Sequence, residues 1–276
     1  MRDATLQGLA VGFFDGVHLG HQEILKGASA ALTFRDHPLS VLAPEKAPRL
    51  IMSAEERVAA IKACGVKDVT VLDFTPELAA MPAEEFARRY VQGGKVFCGE
   101  NWHFGRGGEG SAEWLRAHGV DVEVVPYAEY KGERISSSRI RACLERGEIE
   151  DANAMMGRKF KVRGSRFTGK GIGTAIGYPT VNLELSTLNL ELPLGVYEVE
   201  VEGLKAIANY GLAPTMGDAA WRKPTLEIHF LHSAPAPSTH TSIPVELVRF
   251  VREEREFASL EDLKRQIAAD CATIVS

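Results

Sequence analysis

The chain has 276 residues, 45% hydrophobic and 25% charged, and a formal net charge of −5. That length is comfortable for two cores, and the composition excludes wholesale disorder. The acidic balance argues against a protein that grips nucleic acid by broad phosphate neutralisation, while a local positive site for a nucleotide stays open. Cys64, Cys98, Cys143 and Cys271 are scattered with no CxxC pair, as reduced thiols are, and suit neither a disulfide frame nor a zinc site. No apolar run approaches the roughly 18 residues of a membrane span. The N-terminus shows no apolar signal segment, so a cytoplasmic protein without membrane contact is expected.

The apolar run Leu9 to Phe14 breaks at Asp15-Gly16, and His18 and His21 follow. The periodic stretch from Gln22 to about Ala31 then predicts a helix, so the junction reads as strand, loop and helix start. Such junctions present backbone N–H groups and a positive helix end to a phosphate. The apolar piece Ala30 to Phe34 predicts a second strand, and Pro38 keeps His37 in the loop behind it. Ser53 and Glu56 form a capping box for a helix with Ala54, Val58 and Ile61 inward, ended by Gly65. Val69 to Phe74 predicts a strand. Pro82 opens a helix with Phe86, Tyr90 and Val91 inward, closed by Gly93-Gly94. A strand over Lys95 to Cys98, a helix over Ser111 to His118 and a strand over Val120 to Pro126 follow.

Strand–helix alternation of this kind predicts a mostly parallel sheet covered on both faces. A serine-capped helix from Arg134 to Arg146 and a short one over Glu148 to Met156, with Gly157 as its C-cap, close this half. Beyond Gly157 helical periodicity gives way to β-rich runs between glycine and proline turns: Phe160 to Val162, Gly195 to Val201, Leu204 to Asn209, Thr225 to Leu231 and Ile243 to Val251. They predict a small barrel or sandwich. A last helix, Ser259 to Ala269, carries Leu260, Leu263 and Ile267 on one face. The expected organisation is an α/β domain over 1–156 and a small β domain over 157–276.

Two constellations stand out. In the first half, the Gly12 to His21 turn, His37, the glycine-rich loop Gly99 to Gly108 and Ser136 to Arg139 all lie where strands run out into loops. Hydroxyls, N–H groups and Arg139 suit phosphate oxygens, and two histidines suit charge gathering at a transferred phosphate. Ser136 to Ser138 read equally well as an N-cap. In the second half, Gly169 to Asn182 (GKGIGTAIGYPTVN) allows a backbone to wrap phosphates, yet it is no Walker A loop, and a glycine-rich hairpin remains an alternative. In LEIHFL, alternation puts Glu227 and His229 on the face opposite Leu226 and Ile228, either solvated or catalytic.

Taken in order, these motifs resemble the bacterial bifunctional riboflavin kinase/FAD synthetase family. GFFDGVHLGHQ resembles its adenylyltransferase signature, which implies His18 and His21 as catalytic and Gly12, Phe13, Asp15 and Gly16 as ATP-binding. By the same resemblance His37, Asn101, Ser137, Ser138 and Arg139 bind ATP, and Phe104 and Gly105 lie near nucleotide and flavin. GYPTVN resembles the kinase motif, implying Thr180 and Asn182 as Mg²⁺–nucleotide ligands, with Gly169, Lys170, Gly171, Gly173 and Gly177 at the phosphates. Glu227 takes the place of the catalytic carboxylate, and Arg252 and Glu254 fall near the flavin.

The resemblance implies a Rossmann-like nucleotidyltransferase domain followed by a β-barrel kinase domain. It further implies phosphorylation of riboflavin to FMN by ATP, then adenylyl transfer from a second ATP to give FAD and pyrophosphate, both with Mg²⁺. The expected partners are riboflavin, FMN and ATP, with no nucleic acid, in a monomer or weak homo-oligomer. Thr174 stands where the family usually has arginine, and Ser233 to Ser242 replace an acidic, tyrosine-containing turn. Two narrower readings therefore stay open: an adenylyltransferase with a degenerate flavin-binding module, and a non-catalytic flavin or nucleotide sensor.

Overall fold

The computed structural model describes residues 8–91, 94–168, 173, 177–185, 190–214, 222–231 and 242–275. The chain divides into two units, Met1–Ile140 and Arg141–Ser276.

The first unit begins β1 (Leu9–Val11), α1 (Leu19–Lys26), β2 (Ala30–Phe34), α2 (Leu39–Leu42), α3 (Ala54–Ala63) and β3 (Asp68–Leu72). It continues α4 (Pro76–Ala79), α5 (Ala83–Tyr90), β4 (Val96–Gly99), α6 (Ala112–Ala117) and β5 (Val122–Val125). The five strands pair in the order β3-β2-β1-β4-β5, all parallel. Strand alternation sorts the core into two layers. Leu9, Val11, Leu32, Val96 and Cys98 pack against Phe86 and Leu115 on one face. Ala10, Ala31 and Phe97 pack against Ile24, Leu25 and Ile61 on the other. The expected sheet, covered on both faces, is present. Its order reverses at β1, and the crevice beyond β1 and β4 is where such sheets take ligands.

Helix α1 departs from the sequence expectation. It starts at Leu19 rather than Gln22 and ends at Lys26, and Ala30 to Leu32 belong to β2. The reason is local: His18 caps the helix, and a short apolar run buried on both sheet faces looks the same as a buried helical segment. A hairpin, β6 (Glu129–Tyr130) with β7 (Glu133–Arg134), precedes α7 (Ser137–Glu145) and α8 (Ile149–Met156). Gly157 closes α8 in the left-handed region at φ 67°.

The second unit is a closed antiparallel barrel. Its strands are β8 (Phe160–Phe167), β9 (Val181–Leu185), β10 (Gly195–Val201), β11 (Leu204–Pro214), β12 (Arg222–Phe230) and β13 (Ile243–Glu253). They close in the order β10-β11-β12-β9-β8-β13. Leu183, Tyr197, Val199, Leu226, Ile228 and Val245 fill the interior. Outside the wall, Val196 and Ile207 are covered by Ile274 of the last helix, α9 (Leu260–Val275). Helix α8 packs on β8 and β13. Its Asn153 amide accepts the Phe160 N–H at 2.7 Å and donates to the Leu247 carbonyl at 2.9 Å. Among the described residues no helix is long and apolar enough to cross a membrane.

Candidate active sites

In the first unit the turn after β1 is shaped by backbone that side chains rarely adopt: φ is 58° at Phe14, 78° at Gly16 and 36° at Val17. Strain of this kind persists only where the surroundings over-determine it. Here Thr33 Oγ1 donates to the Phe13 carbonyl at 2.9 Å and Gln22 Nε2 to the Val17 carbonyl at 2.9 Å. Asp15 is buried, and both of its carboxylate oxygens accept the Ile51 N–H at 3.1 Å. Asp15 therefore pins the turn to the segment before α3. Ser137 Oγ donates to the Asp15 carbonyl at 2.8 Å, which brings the start of α7 to the same turn.

The two histidines are stacked, ring centroids 3.6 Å apart and 17° between planes. His18 is the N-cap of α1, its Nδ1 accepting the His21 N–H at 3.3 Å. With Nδ1 an acceptor, the neutral ring carries its proton on Nε2, a tautomer assigned from the hydrogen bond. His37 behaves alike: Nδ1 accepts the Leu39 N–H at 3.1 Å, and its ring meets Phe13 edge-on at 4.9 Å. Gly12, Phe13, Asp15, Gly16, His18, His21, His37 and Ser137 are thus brought to one turn and its neighbours.

Other expected residues are placed differently. Asn101 is exposed, and its carbonyl meets His103 Nδ1 at 3.2 Å. Phe104 is buried, stacked on Trp102 at 4.7 Å. Of the three serines that read as an N-cap, Ser136 caps α7, accepting the Arg139 N–H at 3.2 Å. Arg139 Nη1 donates to the carbonyls of Tyr130 at 3.0 Å and Glu133 at 2.9 Å. The guanidinium thereby holds the hairpin, and Ser138 precedes it in the first turn of α7.

In the second unit, strand register builds the site. Glu227 on β12 pairs with Asn182 on β9 and with Asn209 on β11, so the three side chains form one row across the outer wall. Alternation reads true here: Leu226 and Ile228 are buried, and Glu227 is exposed. Glu227 and Asn209 of this row, with Thr180, line a cavity of about 300 Å³ whose wall includes Leu263 and Ile267 of α9. His229 Nδ1 lies 3.0 Å from the Pro179 carbonyl. Gly173 also lines the cavity, its carbonyl accepting the Tyr178 N–H at 2.8 Å. A Cβ there would sit 2.4 Å from the Tyr178 carbonyl oxygen, so only glycine fits. Gly177 turns at φ 91°. Gly169, Lys170, Gly171 and Thr174 lie outside the described residues, as do all but Ser242 of the Ser233 to Ser242 stretch.

Arg252 and Glu254 line the same cavity. Arg252 is held by buried Asp270 of α9, through Nε at 3.0 and 3.1 Å and Nη2 at 2.7 Å, and Gln266 Nε2 braces Asp270 at 2.7 Å. Sequence reasoning missed Asn209 and Asp270. Asp270 falls three residues after Ile267 on the apolar stripe of α9, and a polar residue on such a stripe was the available signal. Asn209 alternates with buried Ala208 and Tyr210 and so shared the face of Glu227.

Comparison with known proteins agrees with this division. The FAD synthetase family model matches residues 2–139, and the riboflavin kinase family model matches residues 156–276. The bifunctional riboflavin kinase/FMN adenylyltransferase of Bacillus subtilis is 30% identical over 286 residues, covering 95% of this chain and 89% of that protein. The protein of the same name from Escherichia coli K12 is 32% identical over 285 residues, covering 95% and 90%. A solved Streptococcus pneumoniae structure, described as a macrolide-efflux protein, superposes with a TM-score of 0.87 at 27% identity, covering 99% of this chain and 95% of that one. With both halves matched in order and each carrying its own site, the chain belongs to the bifunctional riboflavin kinase/FMN adenylyltransferase family.

Proposed function

We propose that the two steps of this family are divided between the two units, adenylyl transfer to FMN in Met1–Ile140 and phosphorylation of riboflavin in Arg141–Ser276. One observation carries the division: His18 and Glu227 each stand in a site assembled from their own unit.

In the kinase step Glu227 takes the proton of the riboflavin ribityl hydroxyl as its oxygen attacks the γ-phosphorus of ATP, and ADP leaves. Asn182 and Asn209 flank the carboxylate and orient the hydroxyl. Arg252 and Glu254 lie at the flavin end of the cavity, and Gly173 and Gly177 shape the loop that meets the phosphates. Gly169, Lys170 and Gly171 are assigned to the same phosphates from the sequence motif.

A divalent cation fits this site in a particular way. Thr180 and Asn182 offer oxygen donors beside Glu227, whereas among the described residues no cluster of three or more acidic, histidine or cysteine side chains exists to cage a metal. That donor set suits Mg²⁺ held chiefly by substrate phosphates with one or two protein oxygens. When bound, Mg²⁺ neutralises polyphosphate oxygens.

In the adenylyl step a phosphate oxygen of FMN attacks the α-phosphorus of ATP, and pyrophosphate leaves. His18 and His37 each present an Nε2 proton, and His21 stacks against His18 in the first turn of α1. These donors stabilise the charge that gathers on the α-phosphate oxygens without a covalent intermediate. The turn Gly12 to Gly16 supplies backbone N–H groups, and Ser137, Ser138 and the hairpin-holding Arg139 close the site from α7. Asn101 stands on the loop after β4, on the substrate side.

Purified protein given riboflavin, ATP and Mg²⁺ should form FMN and then FAD on chromatography. Glu227→Gln should cut FMN formation by about 10²–10⁴, the range for removing a general base, while FAD formation from supplied FMN persists. His18→Ala should do the reverse. Equal loss of both activities in either variant would refute the division.

A further inference from the structure

Helix α3 carries a residue the chemistry above does not use. Arg57 is fully buried, 0% exposed, in the middle of a helix whose other buried position is Ile61. Its guanidinium lies over the Phe13 ring, 4.2 Å from the centroid. Nη2 donates to two consecutive carbonyls at the end of β2, Phe34 and, at 2.8 Å, Arg35. Nε and Nη1 are buried with no hydrogen-bond partner among the described residues. Asp15, Asp36 and Glu55 act on it only through space, and burial draws its pKa below the usual arginine value.

As a core residue this is a poor choice. A buried cation without a paired counter-ion costs several kcal/mol, and an apolar side chain of similar length would fill the same space. Its placement, by contrast, joins the parts of the nucleotide site. Phe13 belongs to the turn after β1 and touches His37 edge-on, and the carbonyls of Phe34 and Arg35 lead directly into the His37 loop. A planar guanidinium can stack on the ring while one of its nitrogens, Nη2, holds both carbonyls, which an ammonium cannot.

We propose that Arg57 is a residue of the nucleotide site and not of the folding core: a buried cation that fastens the Phe13 turn to the His37 loop and lends its charge to the triphosphate of ATP. It acts as a positioning residue with an electrostatic reach, because a charge in a water-poor environment is weakly screened. The inference rests on the adenylyltransferase-site reading given above.

The test uses the full-length protein and two variants, Arg57→Met and Arg57→Lys, with urea unfolding and the kinetics of FAD formation from supplied FMN. Arg57→Met should be at least as stable as the parent, since it removes an unpaired buried charge. Its KM for ATP should rise about tenfold, the scale of one lost charge-assisted contact, with KM for FMN within about twofold. Arg57→Lys, which keeps the charge without the fork, should fall between. Riboflavin phosphorylation should match the parent in both. The proposal is overturned if Arg57→Met fails to fold or is less stable with KM for ATP unchanged, if both KM values and kcat deteriorate together, or if Arg57→Lys is as poor as Arg57→Met. His18→Ala serves as the separate control. Should it retain full FAD synthesis, the site reading itself fails, whatever Arg57 does.

Discussion

Asp270 and Arg252 show how a single buried contact conditions a whole cavity wall. The arginine side chain is 14% exposed and the aspartate 5%, and the pair ties β13 to α9. Removing one partner of such a pair strands the other charge, which typically costs 3–5 kcal/mol. Asp270→Ala should therefore lower the urea midpoint sharply and raise KM for riboflavin, while FAD formation from FMN is spared. Thiol chemistry offers a second residue-scale prediction. Burial pushes both Cys98 and Cys143 up to about 11. In the native protein neither should react with a disulfide reagent at pH 8, so that thiol release beyond Cys64 and Cys271 appears only on unfolding. Residue roles were the least legible layer of the sequence. Arg57 and Asp270 both sit on stripes read for their apolar members, and burial of a charge is decided by neighbours distant in the chain.

Elements were more legible where local chemistry decides them. The Ser53–Glu56 capping box is present with both of its bonds, at 3.2 and 3.0 Å. Ser53→Ala should cost about 1 kcal/mol of unfolding free energy, measured by urea titration, with little effect on riboflavin phosphorylation. Gly157 ends α8, and β10 spans the run Gly195 to Val201 as expected from its pattern. Strand β9 and the β6–β7 hairpin were not legible, because each is a short piece fixed by a partner. Strand β9 is held between β8 and β12, and the hairpin is fastened by Arg139. At the other end of the helix inventory, α9 shows why its C-terminal extension past Ala269 escaped notice. Arg249 donates to the Thr273 carbonyl at 3.1 Å and Lys205 to that of Ile274 at 3.5 Å. Cations at a helix C-terminus satisfy its orphan carbonyls, and no pattern within the helix reports them.

At the scale of the molecule, the change of texture at Gly157 marks the class change from alternating α/β to barrel, while α8 packs on the barrel that follows it. Its Ile149, Ala152, Met155 and Met156 are buried, and Asn153 completes two backbone bonds. A fragment of 141–276 should accordingly fold and phosphorylate riboflavin, whereas one of 157–276 should melt at least several degrees lower. Loss of even two such side chains removes roughly 3–6 kcal/mol of burial. Equal melting temperatures by circular dichroism would show that α8 is dispensable to the barrel.

The row Asn182, Glu227, Asn209 stands on the outside of a wall whose inside is sealed. Because strand side chains alternate, every position of that row is flanked by positions that meet only the interior, and the two sets can change independently. Such a barrel is an evolvable tool: its outer row can be rewritten for another hydroxyl acceptor while the inner layer keeps the same packing. A library randomised at Asn182 and Asn209 should yield mostly folded proteins with altered acceptor preference, and one randomised at Leu226 and Ile228 should yield mostly unfolded chains.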